Sequence, residues 1–263
     1  MSAPVQPINL ENLSAASFTA IPVRKVSADD GKVYYLSAFG GVAQNGPYNP
    51  NLRKFANPAP LGLCAFALTT FVLSLINAQA RHVTIPNIVF GLAYGYGGLI
   101  QLLSGMWEMA AGNTFGATAL SSYGGFWISF AIIETAEGFG IISAYTDEST
   151  LDSALGFYFI GWAIFSFILV VLTLRSTYAF FSLFFSIFLV FLLLAIGKFV
   201  ASDGHDATGI NKAAGVVGCI AAFLAWWNAV AGVADKQNSF FTIPVCHFPW
   251  SAKPEKEDAK KEP

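Results

Sequence analysis

The chain has 263 residues, of which 55% are hydrophobic and only 11% charged, and its formal net charge is −2. So few charges exclude an ordinary soluble domain, where about 25% is usual, and the balance gives no electrostatic footprint for a nucleic acid. Cys64, Cys219 and Cys246 form an odd set without framework spacing, so no disulfide scaffold is expected.

In chain order, residues 1–56 are polar, rich in Pro, Asn and Ser, and lack the apolar core of a signal peptide. They are expected to form a largely disordered cytoplasmic tail, with a short ordered piece at "YYLSAFGG". Six apolar stretches follow, at 58–78, 85–106, 121–145, 153–174, 177–199 and 212–234. Each is long enough for a membrane-spanning helix, which needs about 20 residues and satisfies its own backbone. The third is interrupted by Glu134 and Glu137. The stretch "TIPVCHFPW" is too short and proline-rich for a seventh span. Residues 57–248 therefore read as an all-α integral membrane domain of six transmembrane helices. Residues 249–263 read as a charged cytoplasmic tail, whose ending Lys-Lys-Glu-Pro has the form of a dilysine retrieval signal.

Lys and Arg orient the spans. Arg81, Lys198 and Lys212 fall on one side, and the other eleven of the fourteen fall on the opposite side with both termini. Both termini are thus expected in the cytoplasm, where the sequon at Asn12 would stay unglycosylated. The connections are short and leave no extramembrane domain to hold an active site. That favours a transporter or channel over an enzyme, with a receptor or scaffold as the remaining classes.

The first span opens with "NPAPLGL" at 57–63. Asn57 can cap the helix, Pro58 then falls at the first helical position, and Pro60 stays within the first turn. Gly62 lets another helix approach. Two readings stand: a cap with close packing, or a helix start whose free N–H groups and dipole attract a small anion. "GNTFGATALSSYGGFW" offers a second such start, with Asn113 as cap, Thr114 after it, and the third helix beginning at 114. Phe66 lies nine residues after Asn57, Tyr123 ten after Asn113, and Leu183 seven after Ser176, the expected cap of the fifth helix. Helices 1, 3 and 5 can therefore bring one bulky side chain each to a similar depth, or these residues simply face lipid and neighbouring helices.

No Lys or Arg lies well inside a span, so a tight carboxylate fork is not expected. Weak holding of a small anion by helix ends and hydroxyls suits conduction. The Tyr123 hydroxyl and those of Thr69 and Thr70 are candidate donors, the threonines alternatively bonding their own backbone. Glu108, at the end of the second helix, either orders an entrance and relays protons or caps an interface. Glu134 and Glu137, three apart on one helix face, are candidates for a proton path, since acids within spans are functional suspects. His82, His205 and His247 share no ligand spacing, so neither a metal nor another cofactor is expected.

Several motifs occur in order: "NPAPLGL", "YGGLIQLLSGMWEMAAGNTFGATALSSYGGFW", "ALGFYFIGWAIFSF", "FLLLAIG" and "DKQNSFF". With them the chain resembles the acetate uptake transporter family (GPR1/FUN34/yaaH, or succinate–acetate permeases), in its fungal branch, over 57–248. The resemblance implies six helices around a central pore in a urea-channel-like fold, and a homo-oligomer, hexameric in the family. It implies uptake of acetate and similar small monocarboxylates at the plasma membrane, with protons. It also implies an apolar constriction from helices 1, 3 and 5, which falls by motif position on Phe66, Tyr123 and Leu183, with Ile187 as the alternative to Leu183. Alternative functions are a passive channel for acetic acid, ammonium or urea, and an acetate-sensing membrane regulator.

Overall fold

The computed structural model describes residues 20–21, 36–37, 56–135, 138–234, 238–241 and 243–251. Six helices have the length and composition to cross a membrane: α1 Ala59–Asn77, α2 Ile88–Ala111, α3 Thr114–Glu134, α4 Glu148–Thr173, α5 Tyr178–Ser202 and α6 Thr208–Val233. Outside them, Leu36–Ser37, within "YYLSAFGG", pairs antiparallel with Ala20–Ile21. The rest of both tails, and Glu137, lie outside the described residues.

Local chemistry sets the helix ends. Asn57 Oδ1 accepts from Ala59 N at 3.2 Å, and the helix starts at Ala59 with Pro58 as its cap residue. The cap bond is thus made from one position earlier than the sequence suggests. Asn113 caps α3, its Oδ1 accepting from Gly116 N at 3.0 Å, directly after Gly112, whose φ of +83° closes α2. The third helix consequently begins at 114 and ends at Glu134, a full eleven residues short of the expected 145. Its end is fixed by an extended Thr135, whose hydroxyl turns back to Ala131 O at 2.6 Å. Thr177, rather than Ser176, caps α5 by accepting from Phe180 N at 3.2 Å. Asp147 caps α4, accepting from Thr150 N at 2.9 Å and from its hydroxyl at 2.7 Å.

The helices form a closed ring in sequence order. Packing joins α1 to α2, α2 to α3, α4 to α5, α5 to α6 and α6 back to α1. Side chains join α3 to α4, with Ser129 Oγ 2.7 Å from the Tyr158 hydroxyl and Phe126 stacked on Tyr158. Small residues set the closest approaches, as is usual where lipid removes a hydrophobic drive between helices. A Cβ on Gly124 of α3 would lie 2.7 Å from Leu102 N of α2, and one on Gly215 of α6 would collide with the backbone of α1 at Ala78.

Two irregular features matter for the interior. A π-helical turn at Gly95–Ile100 interrupts α2. After it, Gln101, Ser104 and Glu108 share one face at i, i+3 and i+7, and all three are buried. The second feature is a strap formed by residues 243–251 across the α4–α5 connection. Tyr178 N donates to Cys246 O at 2.8 Å, Phe248 N to Ser176 O at 3.3 Å, and Trp250 Nε1 to Leu174 O at 2.7 Å. Phe248 packs between Tyr178 and Trp250, with centroids at 4.1 and 5.0 Å. The strap satisfies backbone groups that the ends of α4 and α5 leave open.

Candidate permeation path

The proximal end of the bundle is where α1, α3 and α5 start, and the distal end is where they finish. At the proximal mouth the starts of α1 and α3 flank Glu108. Its carboxylate lies beside the Asn113 side chain and the Ala59 backbone N–H, and the residue is 2% exposed. Ser104, one turn earlier in α2, donates to Pro58 O at 2.6 Å. The helix starts at Asn57 and Asn113 thus face a carboxylate that the protein itself supplies. This is the favourable pairing of an anion with a helix N-terminus. Asn57, Asn113 and Thr114 are exposed around this mouth, and the Asn57 amide packs near Gly232 of α6.

A narrow apolar waist follows. Phe66 of α1 and Tyr123 of α3 approach with ring centroids 5.9 Å apart. Leu183 and Ile187 of α5 are both buried in the same core, at 1% and 4% exposure. Counted from the helix starts, Phe66, Tyr123 and Ile187 lie about 10–14 Å deep, and Leu183 about one turn nearer the proximal end. Tyr123 is enclosed by Trp162, Phe165, Phe184 and Phe191, at centroid distances of 5.7 to 6.4 Å. Its hydroxyl, a candidate donor toward the pore, instead pairs with Ser166 Oγ of α4 at 2.9 Å.

Beyond the waist, a small pocket is lined by Phe66, Thr70, Leu73, Ser74, Asn77, Phe126, Trp127 and Ile187, among others. Thr69 does not reach it, because its hydroxyl donates to Ala65 O at 2.9 Å. Among the described residues, Thr70 Oγ1 and Trp127 Nε1 are buried without a hydrogen-bond partner, as are the Gln101 amide atoms and Glu108 Oε1. Buried polar groups are ordinarily paired, so such groups along one axis mark it for water or a ligand.

The pocket opens distally into a vestibule of about 260 Å³, with Leu73, Asn77, Phe126 and Leu194 common to both walls. Glu134, Lys198, Asn77, Asn211 and Thr84 give the vestibule its polar wall. Lys198 Nζ donates to Asp152 Oδ1 at 2.7 Å. Among the described residues no group of His, Cys, Asp and Glu is arranged to hold a metal ion.

Phe66, Thr70 and Ile187 line one pocket, Tyr123 and Leu183 pack in the same core as Phe66 and Ile187, Glu108 lies at the proximal end, and Glu134 lines the distal vestibule. Sequence reasoning missed Gln101, Trp127, Ser166 and the Lys198–Asp152 pair. Gln101 had a signal, since it continues the polar i, i+3, i+7 stripe of Ser104 and Glu108. The aim of the Trp127 N–H had none, because its environment comes from α1 and α5.

A closed ring of six apolar helices around an axis polar at both ends and apolar at its waist defines a multi-pass membrane protein of the channel or transporter class. The chain belongs to the GPR1/FUN34/yaaH family, which it matches over residues 39–250. It is 60% identical over 222 residues to acetate permease A of Emericella nidulans, covering 82% of this chain and 74% of that protein. It is 33% identical over 192 residues to the succinate-acetate/proton symporter SatP of Escherichia coli, covering 73% of this chain and 96% of SatP. Among solved structures, that of the bacterial acetate channel SatP superposes with a TM-score of 0.63 at 33% identity, covering 73% of this chain and 99% of that one.

Proposed function

We propose that the protein takes up acetate and similar small monocarboxylates across the plasma membrane, coupled to protons, with both termini cytoplasmic. The observation that carries this reading is the pairing of an apolar waist with two unpartnered donors, Thr70 Oγ1 and Trp127 Nε1, beside it. A bare carboxylate is costly in an apolar constriction, whereas the protonated acid is not. Two donors next to the waist hold the small polar head weakly, and weak holding permits conduction. The names of the relatives support acetate as cargo. In this reading Phe66, Tyr123 and Leu183 or Ile187 form the constriction. Glu108 orders the cytoplasmic mouth, and Glu134 stands at the outer end of a proton path. The family resemblance supports a homo-oligomer, hexameric there.

Proteoliposomes holding the full chain test the coupling. Labelled acetate flux should follow an imposed pH gradient at zero membrane potential and ignore a potassium-diffusion potential at zero pH gradient. Flux driven by the potential alone would replace proton coupling with an anion channel. Entry no faster than into protein-free vesicles would favour an acetate-sensing regulator.

A further inference from the structure

The ring of helices is closed least tightly between α3 and α4. Every other neighbouring pair approaches backbone to backbone, whereas this pair is joined mainly by side chains such as Ser129 and Tyr158. A groove of about 280 Å³ opens outward along the seam, walled by Ser122 of α3 and by Tyr158, Gly161, Trp162 and Phe165 of α4. The four α4 residues recur at i, i+3, i+4 and i+7, which is one helix face. On α3, Gly125 lies between Ser122 and Ser129 on the face toward α4. Gly125 and Gly161 are exposed and a Cβ on either would touch nothing, so both leave the seam open. On the inner side, Trp162 and Phe165 pack on the Tyr123 ring, with centroids at 6.2 and 5.7 Å. These two rings therefore stand between the groove and the waist.

We infer that the α3–α4 groove is a lipid site, holding one acyl chain of a bilayer phospholipid against Trp162, behind Tyr123. Depth and chemistry name the occupant. α3 starts at Thr114 and α4 ends at Thr173, both at the proximal end. Ser122 and Phe165 then lie about 12 Å along their helices from that end, and Tyr158 about 22 Å. The groove is thus in the middle of the spans, where a bilayer presents hydrocarbon and no headgroup. Its wall holds no charged side chain. The Tyr158 hydroxyl is already engaged, 2.7 Å from Ser129 Oγ and 3.3 Å from Phe126 O, so the groove asks for an apolar ligand. A second copy of the chain offers a helix about 10 Å wide, too broad for a cleft between neighbouring helices, whereas an acyl chain is thin and flexible enough to enter. The site needs neither the cargo nor the proton coupling proposed above.

Bromine on an acyl chain quenches a tryptophan that it touches, and this gives the test. The full chain is reconstituted in vesicles of dioleoyl phosphatidylcholine or of its analogue brominated at the middle of each chain. Pairing every protein with its W162F form isolates the quenching due to Trp162. G161L puts a side chain into the open groove and keeps the helix, since leucine is the better helix former. Trp162 should be quenched in the unmodified chain, and G161L should abolish that part. G91L, at an exposed position of α2 where a Cβ also touches nothing, should leave it unchanged. A thermal melt in detergent, titrated with dioleoyl phosphatidylcholine, reads the same site without W162F. There G161L should need about tenfold more lipid for equal protection, since about two methylenes kept out of the groove are worth roughly fourfold each. Absence of Trp162 quenching in the unmodified chain, as when a second copy covers the seam, would overturn the site. Equal losses in G91L and G161L would overturn it too, as would lipid titrations that coincide for G161L and the unmodified chain.

Discussion

Thr70 and Trp127, from helices α1 and α3, line one pocket beside Phe66, and neither the Thr70 hydroxyl nor the Trp127 indole N–H has a partner among the described residues. If they hold the carboxyl head of the cargo, Thr70→Val and Trp127→Phe should each raise the KM for acetate by about two- to tenfold, the worth of one neutral hydrogen bond. Melting temperature should hold or rise in Thr70→Val, which removes an unpaired polar group at nearly constant shape, and fall somewhat in Trp127→Phe, which leaves a cavity. Uptake kinetics beside a thermal melt in detergent check this, and an unchanged KM in both variants would assign the pocket a packing role only.

The waist makes a size prediction. Phe66→Ala should widen the path and raise lactate uptake relative to acetate, at a stability loss of about 3–5 kcal/mol for a buried aromatic. Leu183→Ala and Ile187→Ala, measured side by side, locate the third wall of the waist. The one that shifts the lactate-to-acetate ratio lies on the path, and Ile187 is expected, because it shares the Phe66 pocket. Ratios that stay constant across all three variants would move the constriction elsewhere.

The strap makes a folding prediction. Trp250 Nε1 donates to Leu174 O and its ring stacks on Phe248. Trp250→Ala should remove both and expose the α4–α5 connection, with a loss of about 0.5–1.5 kcal/mol, the net worth of one exposed hydrogen bond. Limited proteolysis should then cut near residues 174–178 faster than in the unmodified chain. An unaltered cleavage pattern would show that the strap is dispensable for that turn.

A pH prediction concerns the exposed cap of α4. The Thr150 hydroxyl, with the Thr150 N–H, holds the Asp147 carboxyl below the usual carboxylate range. A carboxyl lowered in the folded state stabilises the fold above its unfolded value, about 3.9. That contribution disappears as pH falls through the lower folded value. Asp147→Ala should therefore reduce thermal stability at neutral pH and flatten its decline on acidification. Parallel melts of the two proteins that keep a constant offset down to pH about 2 would refute the assignment.

Much of the fold was legible because lipid imposes a severe rule on the backbone. Six apolar runs each had to be helical, and caps such as Asn113 marked a start to the residue. The end of α3 was not legible, since hydropathy continues past Glu134 while Thr135 breaks the helix by a local side-chain bond. The site was partly legible for a related reason. Phe66 and Tyr123 could be placed by counting from caps, because depth along a helix depends on residue number alone.

Direction around a helix axis is different, and there packing decides. Sequence named the Tyr123 hydroxyl as a donor to the pore, but α4 presents Ser166 to it. Sequence placed Lys198 merely near a span end, but the α4–α5 pairing seats it against Asp152 in the vestibule. It offered "NPAPLGL" as a place for an anion, and the π-turn of α2 brings the protein's own Glu108 there. The sequence alone determined the membrane class, the six spans, the family and the depth of the bulky residues. Only tertiary structure decided which polar groups are satisfied and which stay free to meet a cargo, because hydrogen bonds depend on neighbours that are distant in the chain.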